Sequence, residues 1–188
     1  MSEEIRKAQV LASLFWKLME RGGTQGASLI VSIVLARLLL PEDYGIIALV
    51  VIFTSIAGVF VQSGLNTALI QKKDTDEADF SSVFYLSLFI AFLIYIILFF
   101  AAPYIATFYE EPQITSVFRV LSITLFFGAF NSIQNAVVAR NLQFKKLFFS
   151  STGAILISGT VGIYMAYTGF GVWALVGQQI SNQLFVTM

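Results

Sequence analysis

Six apolar runs, separated by short polar or charged segments, divide the chain. An α-helix needs about 20 residues to cross a hydrocarbon core of roughly 30 Å, and each run is close to that length. We predict membrane-spanning helices at about 16–40, 46–70, 82–103, 116–139, 147–167 and 172–188, preceded by a short interfacial helix at 5–15. The pattern predicts an all-α integral membrane protein built as a bundle of about six transmembrane helices.

The breaks between the runs follow the chemistry of single residues. The first span begins at a charged cluster, stays uncharged over 22–36, and ends at Arg37 before the break Pro41-Glu42-Asp43-Tyr44-Gly45. Glu42 and Asp43 suit the positive end of the following helix dipole. Pro103 should close the third span because proline interrupts a helix, and 168–171 should form a tight turn before the sixth.

Composition identifies lipid as the solvent. The chain is 57% hydrophobic and 12% charged, with a mean hydropathy of +0.83. It contains no cysteine and no histidine, which excludes disulfides, thiolate or imidazole metal sites, and catalysis by Cys/His or Ser/His pairs. We therefore expect neither a metal nor a cofactor, no nucleic-acid partner, and a function other than that of an enzyme.

The basic residues are concentrated in alternate loops. Eight of the eleven Lys and Arg residues fall on one side of the predicted bundle: Arg6, Lys7, Lys17, Lys72, Lys73, Arg140, Lys145 and Lys146. Loops with an excess of Lys and Arg remain in the cytoplasm, so the N-terminus is predicted to be cytoplasmic.

Polar side chains recur at helical spacing within several spans. They are Lys17, Arg21 and Gln25 on the first; Ser55, Gln62 and Asn66, with Gly58 on the same face, on the second; and Arg119, Asn131 and Gln134 on the fourth. Polar groups are costly in hydrocarbon, so these faces should meet a partner helix or a wet cavity. Two alternatives remain open: the arginines can snorkel to an interface, and the amides can serve as hydrogen-bond partners between helices.

Four segments resemble the N-terminal half of bacterial polysaccharide flippases, within the multidrug/oligosaccharidyl-lipid/polysaccharide exporter superfamily. They are ERGGTQG at 20–26, ARLLLPEDYG at 36–45, QSGL with ALIQ at 62–71, and RNLQF at 140–144. The junction around the proline is the most specific, although Leu40 stands where many relatives have glycine.

The resemblance implies a two-lobed transporter of the bacterial cytoplasmic membrane, of which residues 1–188 form the N-terminal lobe. Its expected function is to flip polyprenyl-diphosphate-linked oligosaccharide by alternating access, for O-antigen or exopolysaccharide biosynthesis. The expected partners are this substrate, membrane lipid and a C-terminal lobe beyond residue 188. The predicted substrate-binding residues are Lys17, Arg21, Gln25, Gln62, Asn66, Arg119, Asn131 and Gln134.

Two other functions are compatible with a helical membrane bundle. A cation-coupled multidrug exporter of the same superfamily should keep a carboxylate within its helices. No Asp or Glu occurs within the second to fifth predicted spans, and the basic residues suit a diphosphate. The other alternative is a membrane assembly subunit without transport activity, which no specific residue supports.

The charge bias predicts the topology directly. Reporter fusions after Lys73 and Lys146 should be cytoplasmic, and fusions at Glu111 and Gly169 should be external. Paired phosphatase and fluorescent-protein fusions at the four positions measure this. A cytoplasmic reporter at Glu111 would contradict the helix count.

Overall fold

The computed structural model describes residues 2–62, 77–140 and 144–187, and all regular structure within these ranges is α-helical. Its helices are α1 (Ser2–Leu38), α2 (Pro41–Gln62), α3 (Glu77–Phe108), α4 (Gln113–Leu121), α5 (Thr124–Arg140), α6 (Phe144–Tyr167) and α7 (Val172–Thr187). The predicted all-α membrane architecture is confirmed.

Four segments of the described chain are long and apolar enough to cross a membrane: Pro41–Val61, Ser81–Phe108, Gln113–Ser132 and Leu147–Tyr167. The helices α1 and α7 fall outside this set for different reasons. Charged and polar side chains interrupt α1, and α7 has 16 residues with several glutamines among them.

Two helices run further than their sequences predicted. The segment 5–15 is continuous with the first span, so α1 is one helix from Ser2 to Leu38. The helix α3 begins at Glu77 and continues through Pro103 to Phe108. Proline has no N–H to donate to the carbonyl four residues earlier, here that of Phe99, and Arg119 Nε donates to this carbonyl at 3.4 Å instead.

The predicted fourth span is divided into two helices. Its first part, α4, ends at Leu121, and α5 begins at Thr124. Hydroxyl groups on both sides of the interruption bond to the backbone: Ser122 Oγ donates to the Phe118 carbonyl at 2.7 Å, and Thr124 Oγ1 to the Leu121 carbonyl at 2.6 Å. Serine and threonine that bond in this way can bend a helix, and here the backbone N–H groups of Ile123 and Leu125 bond to carbonyls only three residues back.

Three turns meet at one end of the bundle, which we call the turn end: residues 39–40, 109–112 and 168–171. Pro41 opens α2, and Asp43 Oδ2 accepts the Leu40 N–H at 3.1 Å, so the acidic residue caps the helix. Gly171 has a φ of 54°. A Cβ there would lie 3.2 Å from Asp43 Oδ1, so the absence of a side chain lets the third turn approach the first.

Buried side chains form two clusters along the bundle. The large cluster lies toward the turn end and contains Leu35, Val50, Phe118, Leu121 and Val176 among others. The small cluster lies further along α2, α3 and α5, and its buried members are Ala57, Val61, Ala91, Leu125 and Ala129. The interruption at 122–123 falls between the last residue of α4 in the large cluster and the first residue of α5 in the small one.

The first helix is held mainly by α6. Trp16 contacts the rings of Phe148 and Phe149, with centroids 5.8 and 6.2 Å away, and Val31 packs directly over Gly159. Small residues at such contacts let helix backbones approach closely in a membrane, where no hydrophobic force drives helices together. The α1–α6 contact therefore depends on a glycine that leaves room for a valine.

This contact predicts a difference between two glycines of α6. A Cβ at Gly159 would come within 2.5 Å of Val31 Cγ2, whereas a Cβ at Gly153 meets nothing within 4 Å. We expect Gly159→Ala to destabilise the protein by about 1 to 2 kcal/mol. The added methyl group overlaps the stiff Val31 side chain, and the energy of this overpacking exceeds the stability that alanine contributes through its higher helix propensity. Gly153→Ala should stabilise the protein by up to about 1 kcal/mol, because alanine has the higher helix propensity.

Thermal unfolding in detergent micelles measures both variants. Adding Val31→Ala to Gly159→Ala should relieve the overlap and recover most of the lost stability. Equal stabilities of the two glycine variants would contradict the proposed packing.

Candidate functional site

An open cavity of about 380 Å³ lies between α2, α5 and α7. Its lining consists of Val51, Thr54, Ser55, Gly58, Val59, Val61, Thr124, Leu125, Gly128, Gln179 and Gln183. None of these side chains is charged, and the polar ones are hydroxyls and carboxamides. At about 1.5 Å per residue, Thr54, Thr124 and Gln179 lie roughly 10 to 20 Å from the turn end, which is the depth of the bilayer centre.

Helical spacing brings the polar lining together. Ser55 and Gly58 are three residues apart on α2, Thr124 and Gly128 are four apart on α5, and Gln179 and Gln183 are four apart on α7. The two glycines leave room between the helices. Thr54 Oγ1 lies 3.0 Å from the Val50 carbonyl, so this hydroxyl is already satisfied within its own helix.

A chain of amides and one hydroxyl connects α5 to α7 beside the cavity. Asn131 Nδ2 donates to Gln183 Oε1 at 2.9 Å, and Thr187 Oγ1 lies 3.0 Å from Asn131 Oδ1. Gln134 Nε2 donates to the Thr187 carbonyl at 2.8 Å. Of the predicted site residues, Asn131 and Gln134 are thus brought together, and both face a partner helix.

The predicted residues of α1 form a second group, away from the cavity lining. Lys17 Nζ and Glu20 Oε2 make an ion pair at 2.8 Å. Arg21 and Gln25 are exposed on the flank of α1 that does not contact α6. Within the described part of the chain the Arg21 guanidinium has neither an ion pair nor a hydrogen bond, so it remains available for an external anion.

Arg119 lies in a third place, between α4 and α3. Its guanidinium carbon is 4.1 Å from the centre of the Phe99 ring, and its Nε donates to the Phe99 carbonyl at 3.4 Å. A cation over an aromatic face is stabilised by the ring quadrupole. This partly buried arginine therefore connects two helices and does not line the cavity.

The remaining two predicted residues cannot be placed in the site. Gln62 ends α2, and its side chain is outside the described part of the structure; Asn66 lies entirely outside the described residues.

The polar residues of α7 were missed by the sequence analysis, which treated 172–188 only as a sixth apolar run. Gln179, Gln183 and Thr187 occur at successive intervals of four residues, so they share one face of a helix. That spacing was visible in the sequence and would have predicted a polar stripe.

The opposite side of α2 borders an apolar groove of about 500 Å³. Its lining consists of Phe53, Ile56, Ala57, Phe60, Ile90, Ile94, Ile97 and Leu98. One helix thus separates an uncharged polar cavity from a surface that suits hydrocarbon.

The fold and the cavity define a multi-pass α-helical membrane protein with a polar site at the depth of the bilayer. Comparison with known proteins identifies its family. Residues 34–188 match the family model described as "Polysaccharide biosynthesis protein", and the chain belongs to that family. The predicted family resemblance is confirmed.

Three curated relatives have related names. The chain is 24% identical over 184 residues to the succinoglycan biosynthesis transport protein ExoT of Rhizobium meliloti, covering 98% of this chain and 37% of that protein. It is 26% identical to the teichuronic acid biosynthesis protein TuaB of Bacillus subtilis, over 50% of this chain and 20% of that protein. It is 19% identical to the lipopolysaccharide biosynthesis protein WzxC of Escherichia coli, over 76% of this chain and 29% of that protein.

The chain therefore spans less than two fifths of the length of each of these relatives. No solved structure is significantly similar to it.

Proposed function

We propose that this chain contributes to the translocation of polyprenyl-diphosphate-linked oligosaccharide across the bacterial cytoplasmic membrane. The observation that carries the proposal is the cavity between α2, α5 and α7, lined by hydroxyls and carboxamides without a charge, in a membrane protein of a polysaccharide biosynthesis family. Sugar hydroxyls donate and accept hydrogen bonds, and these side chains supply both kinds of partner. A glycan can thereby exchange its bonds to water for bonds to protein at the bilayer centre.

The substrate is an amphiphile, and its glycan, polyprenyl tail and diphosphate take different positions along the proposed path. The glycan crosses through the polar cavity, while the polyprenyl tail stays in hydrocarbon outside the bundle. The diphosphate needs a cation, which the exposed Arg21 at the N-terminal half of α1 supplies, with Lys17 as a second positive charge. The positive-inside bias supports a cytoplasmic position for this end of α1, on the side where such a substrate is made.

The transport cycle requires more than this chain. The relatives are more than twice as long, which supports the proposal that residues 1–188 form one lobe and that a second lobe completes the cavity. Rocking of two lobes would open the cavity first to the cytoplasm and then outward. In this mechanism no covalent bond is made or broken, so the protein acts as a transporter and not as an enzyme.

Deletion of the full-length gene tests the proposed activity. The deletion strain should accumulate lipid-linked oligosaccharide whose sugars are protected from a membrane-impermeant oxidant such as periodate, and the restored gene should make them accessible. Mass spectrometry of extracted lipids distinguishes oxidised from intact glycan. Accumulated glycan that is already accessible from outside in the deletion strain would contradict a flipping function.

The role of Arg21 is tested by charge and shape separately. A hydrogen bond to a charged group contributes about 1.5 to 3 kcal/mol, so Arg21→Ala should lower export roughly tenfold to a hundredfold. Arg21→Lys keeps the charge but not the planar fork and should still lose several-fold. Both are measured as surface polysaccharide at equal membrane abundance of the full-length protein.

Arg37 provides the matched control because it is also exposed on α1 but lies at the opposite end of the helix. The Arg37→Ala variant should export polysaccharide at the same rate as the unsubstituted protein. Normal export by Arg21→Ala would exclude the diphosphate role and leave Arg21 as an interfacial anchor.

A further inference from the structure

Three side chains at the edge of the cavity form a connected unit. Gln183 lines the cavity, whereas Asn131 and Thr187 stand behind it and do not. Asn131 Nδ2 donates to Gln183 Oε1 at 2.9 Å. Thr187 Oγ1 lies within hydrogen-bond distance of both Asn131 Oδ1, at 3.0 Å, and the Gln183 carbonyl, at 2.7 Å.

The Thr187 hydroxyl has two acceptors within reach. The Thr187 hydroxyl has one proton, so it can donate to the Asn131 amide or to the backbone of Gln183 but not to both at once. When it donates to Asn131 Oδ1, Asn131 donates onward to Gln183 Oε1. Gln183 Oε1 is then held toward Asn131, and the Gln183 Nε2 group offers its N–H donors to the cavity.

A second arrangement of the same atoms makes three hydrogen bonds within the unit, whereas the first makes two. If the Asn131 and Gln183 amides each rotate by half a turn, Gln183 Nε2 donates to Asn131 Oδ1 and Asn131 Nδ2 donates to Thr187 Oγ1. Thr187 then donates to the Gln183 carbonyl, its nearer acceptor. No bond of the unit is lost, and Gln183 Oε1 becomes an acceptor that is available to the cavity.

We infer that Gln183 is a contact for glycan hydroxyls and that Asn131 is the residue that positions it, with Thr187 allowing the direction of the bonds to reverse. This inference rests on the proposed function. A sugar hydroxyl is both donor and acceptor, so a contact that can take either role accommodates hydroxyls of either orientation. Such a contact suits a pathway through which successive sugars pass in different orientations.

The test uses a double-mutant cycle in the full-length protein, reconstituted in proteoliposomes with polyprenyl-diphosphate-linked oligosaccharide. Gln183→Leu removes the contact, and Asn131→Leu removes its support. Each should raise the apparent KM for flipping about tenfold with little change in maximal rate, because the substrate contact is weakened. Since Asn131 acts through Gln183, Asn131→Leu should have no further effect when Gln183→Leu is already present.

Gln178→Leu is the matched control on the same helix. Its Cβ and Cγ, which lie nearest to Gly162, are retained in leucine, and the residue does not line the cavity. It should leave the KM unchanged. Thr187→Val keeps the shape but removes the hydroxyl, and it should raise the KM by less than Asn131→Leu does. If Asn131→Leu fails to accumulate in the membrane, Asn131→Ala completes the same cycle.

The outcomes separate the two claims. A parent protein that flips no lipid-linked oligosaccharide overturns the proposed function together with this inference. A parent protein that flips it, with additive effects of the two substitutions or with no effect of Gln183→Leu, overturns the positioning role alone. The positioning role is supported if Asn131→Leu raises the KM in the parent protein but has no effect when Gln183→Leu is present. A purely structural role of Asn131 would lower stability in both backgrounds.

Discussion

Hydrocarbon offers no hydrogen bonds, so a polar group that enters the bilayer must find its partner within the protein. This requirement explains where the polar side chains of the bundle lie. Many hydroxyls bond back to a carbonyl of their own helix, as Thr54 and Thr160 do. The amides are too long for that arrangement and pair between α5 and α7 instead. The polar cavity forms where such residues from three helices face one another.

The same requirement limits how the helices can be held together. Apolar side chains gain little by leaving lipid for a helix contact, so close fit replaces the hydrophobic effect. The contact of Val31 with Gly159 and the approach of Gly171 to Asp43 are examples, in which a missing side chain sets the distance between two segments. Arg119 adds a polar link between α3 and α4 through Phe99.

Features encoded within one helix could be predicted from the sequence. Hydropathy predicted the membrane helices, and helical spacing placed Ser55 and Gly58 on one face, which lines the cavity. The pairing of Asn131 with Gln183 joins residues 52 positions apart, and no periodicity within one helix reveals such a partner. The extent of α3 was underestimated because the carbonyl of Phe99, which Pro103 leaves without a helical donor, accepts a bond from Arg119 on another helix. The placement of Arg119 likewise depends on a ring in another helix.

The interruption between α4 and α5 has a mechanical consequence. On one side α4 is fixed among the side chains of the large cluster, and on the other α5 packs with the small cluster. The 17 residues of α5 form a lever about 25 Å long. A bend of only about 10° at Ser122 and Ile123 displaces the far end of that lever by roughly 4 Å. A few degrees of backbone rotation at one point thus suffice to change the width of the neighbouring cavity while the turn end stays still.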